Sequence, residues 1–268
     1  MNQVSPTVRL DRHDAGVVTV TLDDEKRKNV MTPELGDAFR AVLSGLHDEC
    51  ARGDVRAVIV TGAGGAFSGG GDLAMLERLR ASSFLESYEF MLGFYRRYLA
   101  VMELPVPTIA AVRGAAIGAG LGVVLACDLA IFGEDAKLAV NFVALGLHPG
   151  MGVTHTLPER VGPQRASELL FTGRRFTGAE AVSYGLGLEA VPDAEVLPRA
   201  LALATQIAAA GPLAVRATKQ SLATDPTPLT RALEREAFAQ AQSYASAELG
   251  EGLAAAKEKR RPRWSSSS

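Results

Sequence analysis

The sequence predicts an α/β fold, and three observations carry that expectation. Short β-branched runs at Val17-Val18-Thr19-Val20-Thr21-Leu22, Val55 to Thr61 and Thr108 to Val112 alternate with segments of helical spacing, as in a sheet covered by helices. The second and third runs each lead into a glycine-rich turn that opens a helix-like run. The turns are Ala66-Phe67-Ser68-Gly69-Gly70-Gly71-Asp72-Leu73 and Arg113-Gly114-Ala115-Ala116-Ile117-Gly118-Ala119-Gly120. Finally, 268 residues with 47% hydrophobic and 22% charged content supply one sizeable core with room for a subdomain. Bare pattern suggests a doubly wound sheet.

Taken in order, Val17 to Leu22 is bounded by Gly16 and by the charged turn Asp23-Asp24-Glu25, which runs on through Lys26-Arg27-Lys28-Asn29. Thr32, Pro33 and Glu34 form a helix start: a capping hydroxyl, a proline at the first helical position and an acid in the first turn. Leu35, Phe39, Val42, Leu43 and Leu46 then recur at helical spacing to about Glu49. Leu73 to Arg80 reads as helix. Phe84 to Met102 reads as a longer one, whose stripe of Phe84, Tyr88, Phe94, Tyr95 and Tyr98 belongs to the core, and Pro105 and Pro107 stop it. Leu121 to Ala126 is a short buried helix, followed by short strands at Leu129 to Phe132 and Lys137 to Val140.

Asn141 to Arg160 reads as irregular, interrupted by Gly146, Pro149, Gly150, Gly152 and Pro158, and a loop this long in a compact chain is usually functional. Helices are expected at about Gln164 to Phe171 and Gly178 to Tyr184, a strand near Leu188 to Val191, and helices over Glu195 to Ala210, Pro212 to Ala223 and Pro228 to Ala256. The mixed front and helical tail divide the chain into a core over residues 1–200 and a C-terminal helical region over 201–268, with Ser265 to Ser268 expected as a disordered end.

Composition narrows the function. A net charge of −2 gives no electrostatic reason to expect nucleic acid or an anionic membrane as partner. Cys50 and Cys127 show no paired spacing and read as reduced core thiols. The segment from Met1 to Asp14 lacks the apolar stretch of a secretory signal, and no run approaches the roughly 20 apolar residues of a membrane span, so a soluble cytoplasmic protein is expected. Neither a metal-ligand spacing nor a Ser-His-Asp order is present, and Gly62-Ala63-Gly64-Gly65 lacks the following Lys-Ser or Lys-Thr of a nucleotide-hydrolysing loop.

Glycine turns let a ligand approach the main chain, and a helix start leaves amide N–H groups unpaired. Two such donors aimed at one point form an oxyanion hole. On these residues, together with Lys26-Arg27-Lys28-Asn29-Val30, Val58 to Asp72, Pro107 to Asp128, Gly146-Leu147-His148-Pro149-Gly150, Leu170-Phe171-Thr172-Gly173, Ala181 to Leu186 and Glu251-Gly252-Leu253 to Lys259-Arg260, the chain resembles the crotonase superfamily of enoyl-CoA hydratases and isomerases. The resemblance covers nearly the whole length. It implies a spiral of ββα units, a C-terminal helical region that packs trimers or paired trimers, and an acyl-CoA thioester as substrate. Coenzyme A is then part of the substrate, and no separate cofactor is expected.

By the same resemblance, the backbone N–H groups of Gly71 and Ala119 hold the thioester oxygen. Lys28 and Lys259 match basic positions near the phosphates. Val30 and Gly69 match main-chain contacts to adenine and pantetheine, and Asp72, Leu73, Asn141 and Phe142 fall on the substrate side. The two glutamates with which a hydratase of the family adds water align with Gly122 and Phe142, and an isomerase's aspartate aligns with Gly150; none of these three can transfer a proton. His148 is the candidate acid or base, since imidazole titrates near neutrality. His155 and Asp128 read as structural, Asp72 as a helix cap, and Glu77 and Tyr88 as surface or core residues. The expectation is an acyl-CoA enzyme that stabilises a thioester enolate, of isomerase, hydrolase or lyase type rather than a standard hydratase. A non-catalytic acyl-CoA binding or carrier protein is the alternative, and a subunit that assembles with an active paralogue a third possibility.

Overall fold

A six-stranded sheet runs in the order β1 (Thr7–Arg12), β2 (Val17–Asp23), β3 (Ala57–Gly62), β4 (Thr108–Val112), β6 (Leu129–Gly133), β8 (Glu189–Val191) in the computed structural model, which describes residues 7–222 and 226–264. A second, two-stranded sheet pairs β5 (Ala115–Ile117) with β7 (Lys137–Ala139). Only β1 and β2 are antiparallel; the other neighbours are parallel. The strand order steps one way without the reversal of a doubly wound sheet, so the arrangement suggested by bare pattern is corrected to the one-way spiral implied by the resemblance.

The central strands are buried on both faces, as parallel strands flanked by helices must be. Val18, Val20, Leu22, Val58, Val60, Ala110 and Val112 face one core, which includes Leu35, Phe39, Leu43 and Leu46 of α1 (Pro33–Arg52) and Phe94, Tyr95 and Tyr98 of α3 (Phe84–Tyr98). The alternate residues, Val17, Ala57, Ile59, Ile109, Ala111 and Ile131, face Val196, Ala200, Ala204 and Ala208 on α7 (Val196–Ala208). Alanine or valine every fourth residue lets α7 lie close on the sheet across the whole of its length.

The remaining helices are α2 (Leu73–Arg80), α4 (Ala119–Ala126), α5 (Val153–Thr172), α6 (Gly178–Ser183), α8 (Pro212–Leu222), α9 (Pro226–Tyr244) and α10 (Ala247–Lys257). Thr32 caps α1, its hydroxyl accepting the Leu35 N–H at 3.2 Å, as the sequence indicates. Three expectations change. The segment read as irregular over Asn141 to Arg160 holds a short 3-10 turn at Asn141–Leu145 and the first part of α5, which starts at Val153 and bends at Gly162. The single helix expected from Pro228 to Ala256 is two, with Ser246 capping α10 by accepting the Leu249 N–H. The helix expected over Phe84 to Met102 ends at Tyr98 and continues as a 3-10 turn to Glu103. Ala223 and Ser265 to Ser268 lie outside the described residues. No single helix among the described residues is long and apolar enough to cross a membrane.

Cys50 and Cys127 are both free and buried. Burial pushes their thiols up to about 11 and about 12 respectively, in keeping with inert core residues.

Candidate active site

β3 and β4 are parallel neighbours, with Val58 opposite Thr108, so the two glycine turns leave the same edge of the sheet. They then pair with each other. The Ser68 N–H donates to the Ala115 carbonyl at 2.9 Å, and the Ile117 N–H donates back to the Ser68 carbonyl at 3.1 Å. Glycines make this closeness possible: a Cβ on Gly70, whose φ is +92°, would stand 2.7 Å from the Ile117 carbonyl oxygen, and one on Gly120 would stand 2.8 Å from the Ser68 Cβ.

Gly71 is held by Met31. The Met31 N–H donates to the Gly70 carbonyl at 2.8 Å and the Asp72 N–H to the Met31 carbonyl at 3.4 Å, a parallel bridge in which the intervening Gly71 amide faces the other way. A Cβ on Gly71 would meet nothing within 4 Å, so there is open space beside this residue. Ala119 is the first residue of α4, after Gly118 with φ +53°, and the first backbone bond of the helix is made by the Gly122 N–H to the Gly118 carbonyl. Among the described residues, neither the Gly71 nor the Ala119 N–H is taken by a hydrogen bond within the chain. The whole of α4 is buried and uncharged, so its positive end is the local electrostatic feature beside Ala119.

Asn141 and Phe142 stand over the same place. A Cβ on Gly118 would lie 3.5 Å from Asn141 Oδ1 and 3.8 Å from Phe142 Cζ, and Phe142 is buried. On the other flank, the Lys28 carbonyl accepts the Gly69 N–H at 2.7 Å, and Val30 packs beside Gly69. Asn29, wholly buried, bolts this loop down by donating to the carbonyls of Ala63 and Ala66 at 3.0 and 2.8 Å. Asp72 caps α2, accepting the Ala74 N–H at 2.8 Å, and Leu73 is exposed at the start of that helix. Lys28 and Val30 thus lie beside the turn that carries Gly69, Gly71, Asp72 and Leu73, and Asn141 and Phe142 beside the turn that carries Ala119.

Two further candidates lie by the C-terminal helices. The hydrogen bonds of His148 run to α9 and its own loop: its N–H donates to Ser243 Oγ at 3.1 Å, its carbonyl accepts from Gln240 Nε2 at 2.8 Å, and Nδ1 lies 2.7 Å from the Pro149 carbonyl. Because a carbonyl only accepts, Nδ1 is the donor in this contact. Lys259 is exposed just beyond α10, a helix joined to α2 by the Lys257–Glu77 ion pair. Among the residues read as structural, Asp128 accepts from Thr108 and Lys219, and His155 lies 3.4 Å from Glu159.

Two residues that sequence reasoning passed over matter here. A Cβ on Gly122 would come within 2.5 Å of the Met151 Cβ, so Met151, at φ +66°, fills the ground in front of Gly122. Gly150 abuts Tyr95 and Gln240. Behind Met151, the buried Glu236 of α9 takes up the open amides at the start of α5. No local spacing could show either contact, because Glu236 binds residues 84 and 82 positions away. A cavity of about 1140 Å³ between α3, α5 and the C-terminal helices is lined by none of the candidate site residues.

Comparison with known proteins finds relatives that match nearly the whole chain. A family model described as enoyl-CoA hydratase/isomerase matches residues 12–267. A putative enoyl-CoA hydratase of Thermus thermophilus is 38% identical over 249 residues, covering 92% of this chain and 97% of that protein. Among solved structures, an enoyl-CoA hydratase from Bacillus halodurans superposes with a TM-score of 0.85 at 26% identity, covering 92% of this chain and 99% of the other. The ECH2 decarboxylase domain of CurF from Lyngbya majuscula does so with a TM-score of 0.80 at 25% identity, covering 92% and 98%.

Proposed function

The chain belongs to the enoyl-CoA hydratase/isomerase family, and from that premise we propose that it binds an acyl-CoA thioester with the carbonyl oxygen between the Gly71 and Ala119 amides and stabilises the enolate formed there. Lys28, Val30, Gly69 and Lys259 hold the coenzyme A portion, while Asn141 and Phe142 close over the acyl side. Among the described residues neither amide has a partner, and negative charge developing on the oxygen is met by donors already in place.

The observation that carries the choice of chemistry is the contact of Gly122 with Met151. A hydratase of this family needs one carboxylate there and another where Phe142 is buried, and paired carboxylates are what water addition requires. The reaction is therefore of isomerase, hydrolase or lyase type. Loss of carbon dioxide from a 2-carboxyacyl (malonyl-type) thioester asks least of the protein: the electrons of the bond between the α-carbon and the carboxylate pass to the thioester carbonyl, CO₂ leaves, and the enolate takes its proton from water. The likeness to a solved decarboxylase domain supports that branch. The apolar lining between the C-terminal helices and the core also supports assembly as a trimer or a pair of trimers.

The test is a panel of acyl-CoA and 2-carboxyacyl-CoA (malonyl-type) thioesters incubated with the protein in D₂O. Deuterium at the α-carbon or release of CO₂, with no hydration of crotonyl-CoA, is the expected result. Crotonyl-CoA hydration at rates usual for hydratases contradicts the reading. Tight thioester binding without any turnover favours a carrier instead.

A further inference from the structure

We propose that Glu236 is a positioning residue for the thioester site: from α9 it fixes the start of α5, and so seats Met151 against Gly122 in the helix whose first amide is Ala119. This rests on the reading of Ala119 as an oxyanion donor. The carboxyl group is wholly enclosed. Oε2 accepts the Gly152 N–H at 2.6 Å, while Oε1 accepts the Thr154 N–H at 2.9 Å and the Thr154 hydroxyl at 2.5 Å. The residue at the N-cap of α5 is Gly152, which has no side chain to cap with, so a distant helix supplies the acceptor.

The groups facing Glu236 are few. Tyr95 approaches from α3 and Thr154 from α5, and Arg235 on α9 supplies the favourable charge. Burial outweighs these bonds and pushes the carboxyl group up to about 7. Position 152 cannot supply its own cap, because its backbone is left-handed at φ +74° and a Cβ there would stand 2.8 Å from Leu229 Cδ1. What the buried carboxyl adds is a tie between α9 and the segment that carries Met151. That segment needs fixing, since a methionine at φ +66° persists only where its surroundings over-determine it. Its other anchors also come from α9 or α3: Gln240 on the His148 carbonyl, Ser243 on the His148 N–H, and Tyr95, whose hydroxyl donates to Gln240 Oε1 at 2.9 Å. Met151 then meets α4 three residues into the helix that Ala119 begins.

The experiment compares wild type, Glu236→Gln and Thr154→Val in the full chain. Glu236→Gln turns an NH₂ group toward one of the two N–H donors, while Thr154→Val removes only the hydroxyl bond and guards against a glutamine variant that fails to fold. For Glu236→Gln we expect amide hydrogen exchange over residues 150–156 to speed up about tenfold or more. On any thioester that is turned over, kcat should fall about tenfold with KM within about twofold, and Thr154→Val should show smaller changes in the same direction. If wild type binds thioesters without turnover, the substitution should erase its preference for acetyl-CoA over free coenzyme A. Unchanged exchange in both variants overturns the proposal, as does faster exchange with kcat or that preference intact. A wild type with neither turnover nor preference overturns this proposal and the oxyanion-site reading together, whereas failure of this one alone leaves wild-type turnover in place.

Discussion

Gly122 and Met151 fit as a complementary pair, the bare backbone of α4 receiving the methionine so closely that a Cβ at 122 would stand 2.5 Å from the Met151 Cβ. Gly122→Ala should gain ~0.5–1 kcal/mol of helix propensity and lose ~1–3 kcal/mol to overpacking, for a net loss of stability. Met151→Gly removes the colliding atom, although on its own it leaves a cavity. Urea unfolding of the two single variants and the double variant should therefore show coupling of ~1 kcal/mol or more, the double being more stable than the sum of the singles. Strict additivity would mean that the two residues do not meet.

The charge state of Glu236 should be visible in the pH dependence of stability. Its folded-state carboxyl group is raised from 4.5 to about 7, so its stabilising contribution is fully present below about pH 4.5 and is lost as pH rises through 7. A shift of that size corresponds to roughly 3 kcal/mol at most. Chemical unfolding from pH 5 to 8 should show the wild type losing more stability than Glu236→Gln. Parallel curves would place the carboxyl group in water.

Both thiols should resist modification. With Cys50 and Cys127 raised to about 11 and about 12, on the order of one molecule in a thousand or fewer carries a thiolate at pH 8, and both sulfurs are buried. Iodoacetamide should label neither residue in the native protein and both in denaturant, counted by intact mass. Rapid native labelling of either would contradict the core assignment.

Where local chemistry decides structure, the sequence is a good guide. The β-branched runs of β2 and β4, the Thr32-Pro33-Glu34 start of α1 and the glycine turns are each legible because the residues that make them are neighbours. β1 is less so: its half-buried Val8 and Leu10 alternate with polar residues at the sheet edge. β5 is hidden inside a glycine turn as Ala115-Ala116-Ile117. The start of α5 is illegible for a different reason. Its glycines and prolines read as loop, and the acceptor that caps it arrives from α9. The same holds for the site, where the backbone donors at Gly71 and Ala119 could be expected from the turns, while Met151 and Glu236 enter through contacts across the fold.

The most direct test of the central claim removes one backbone donor without removing a side-chain function. Ala119 occupies the first position of α4, where proline is well tolerated because that N–H has no helical partner. Turnover of the best thioester on the panel should be measured for wild type and for folded Ala119→Pro. The oxyanion site predicts a fall in kcat of about 10²–10³ with native circular dichroism retained. Full activity in the proline variant would show that the Ala119 amide does not hold the thioester oxygen.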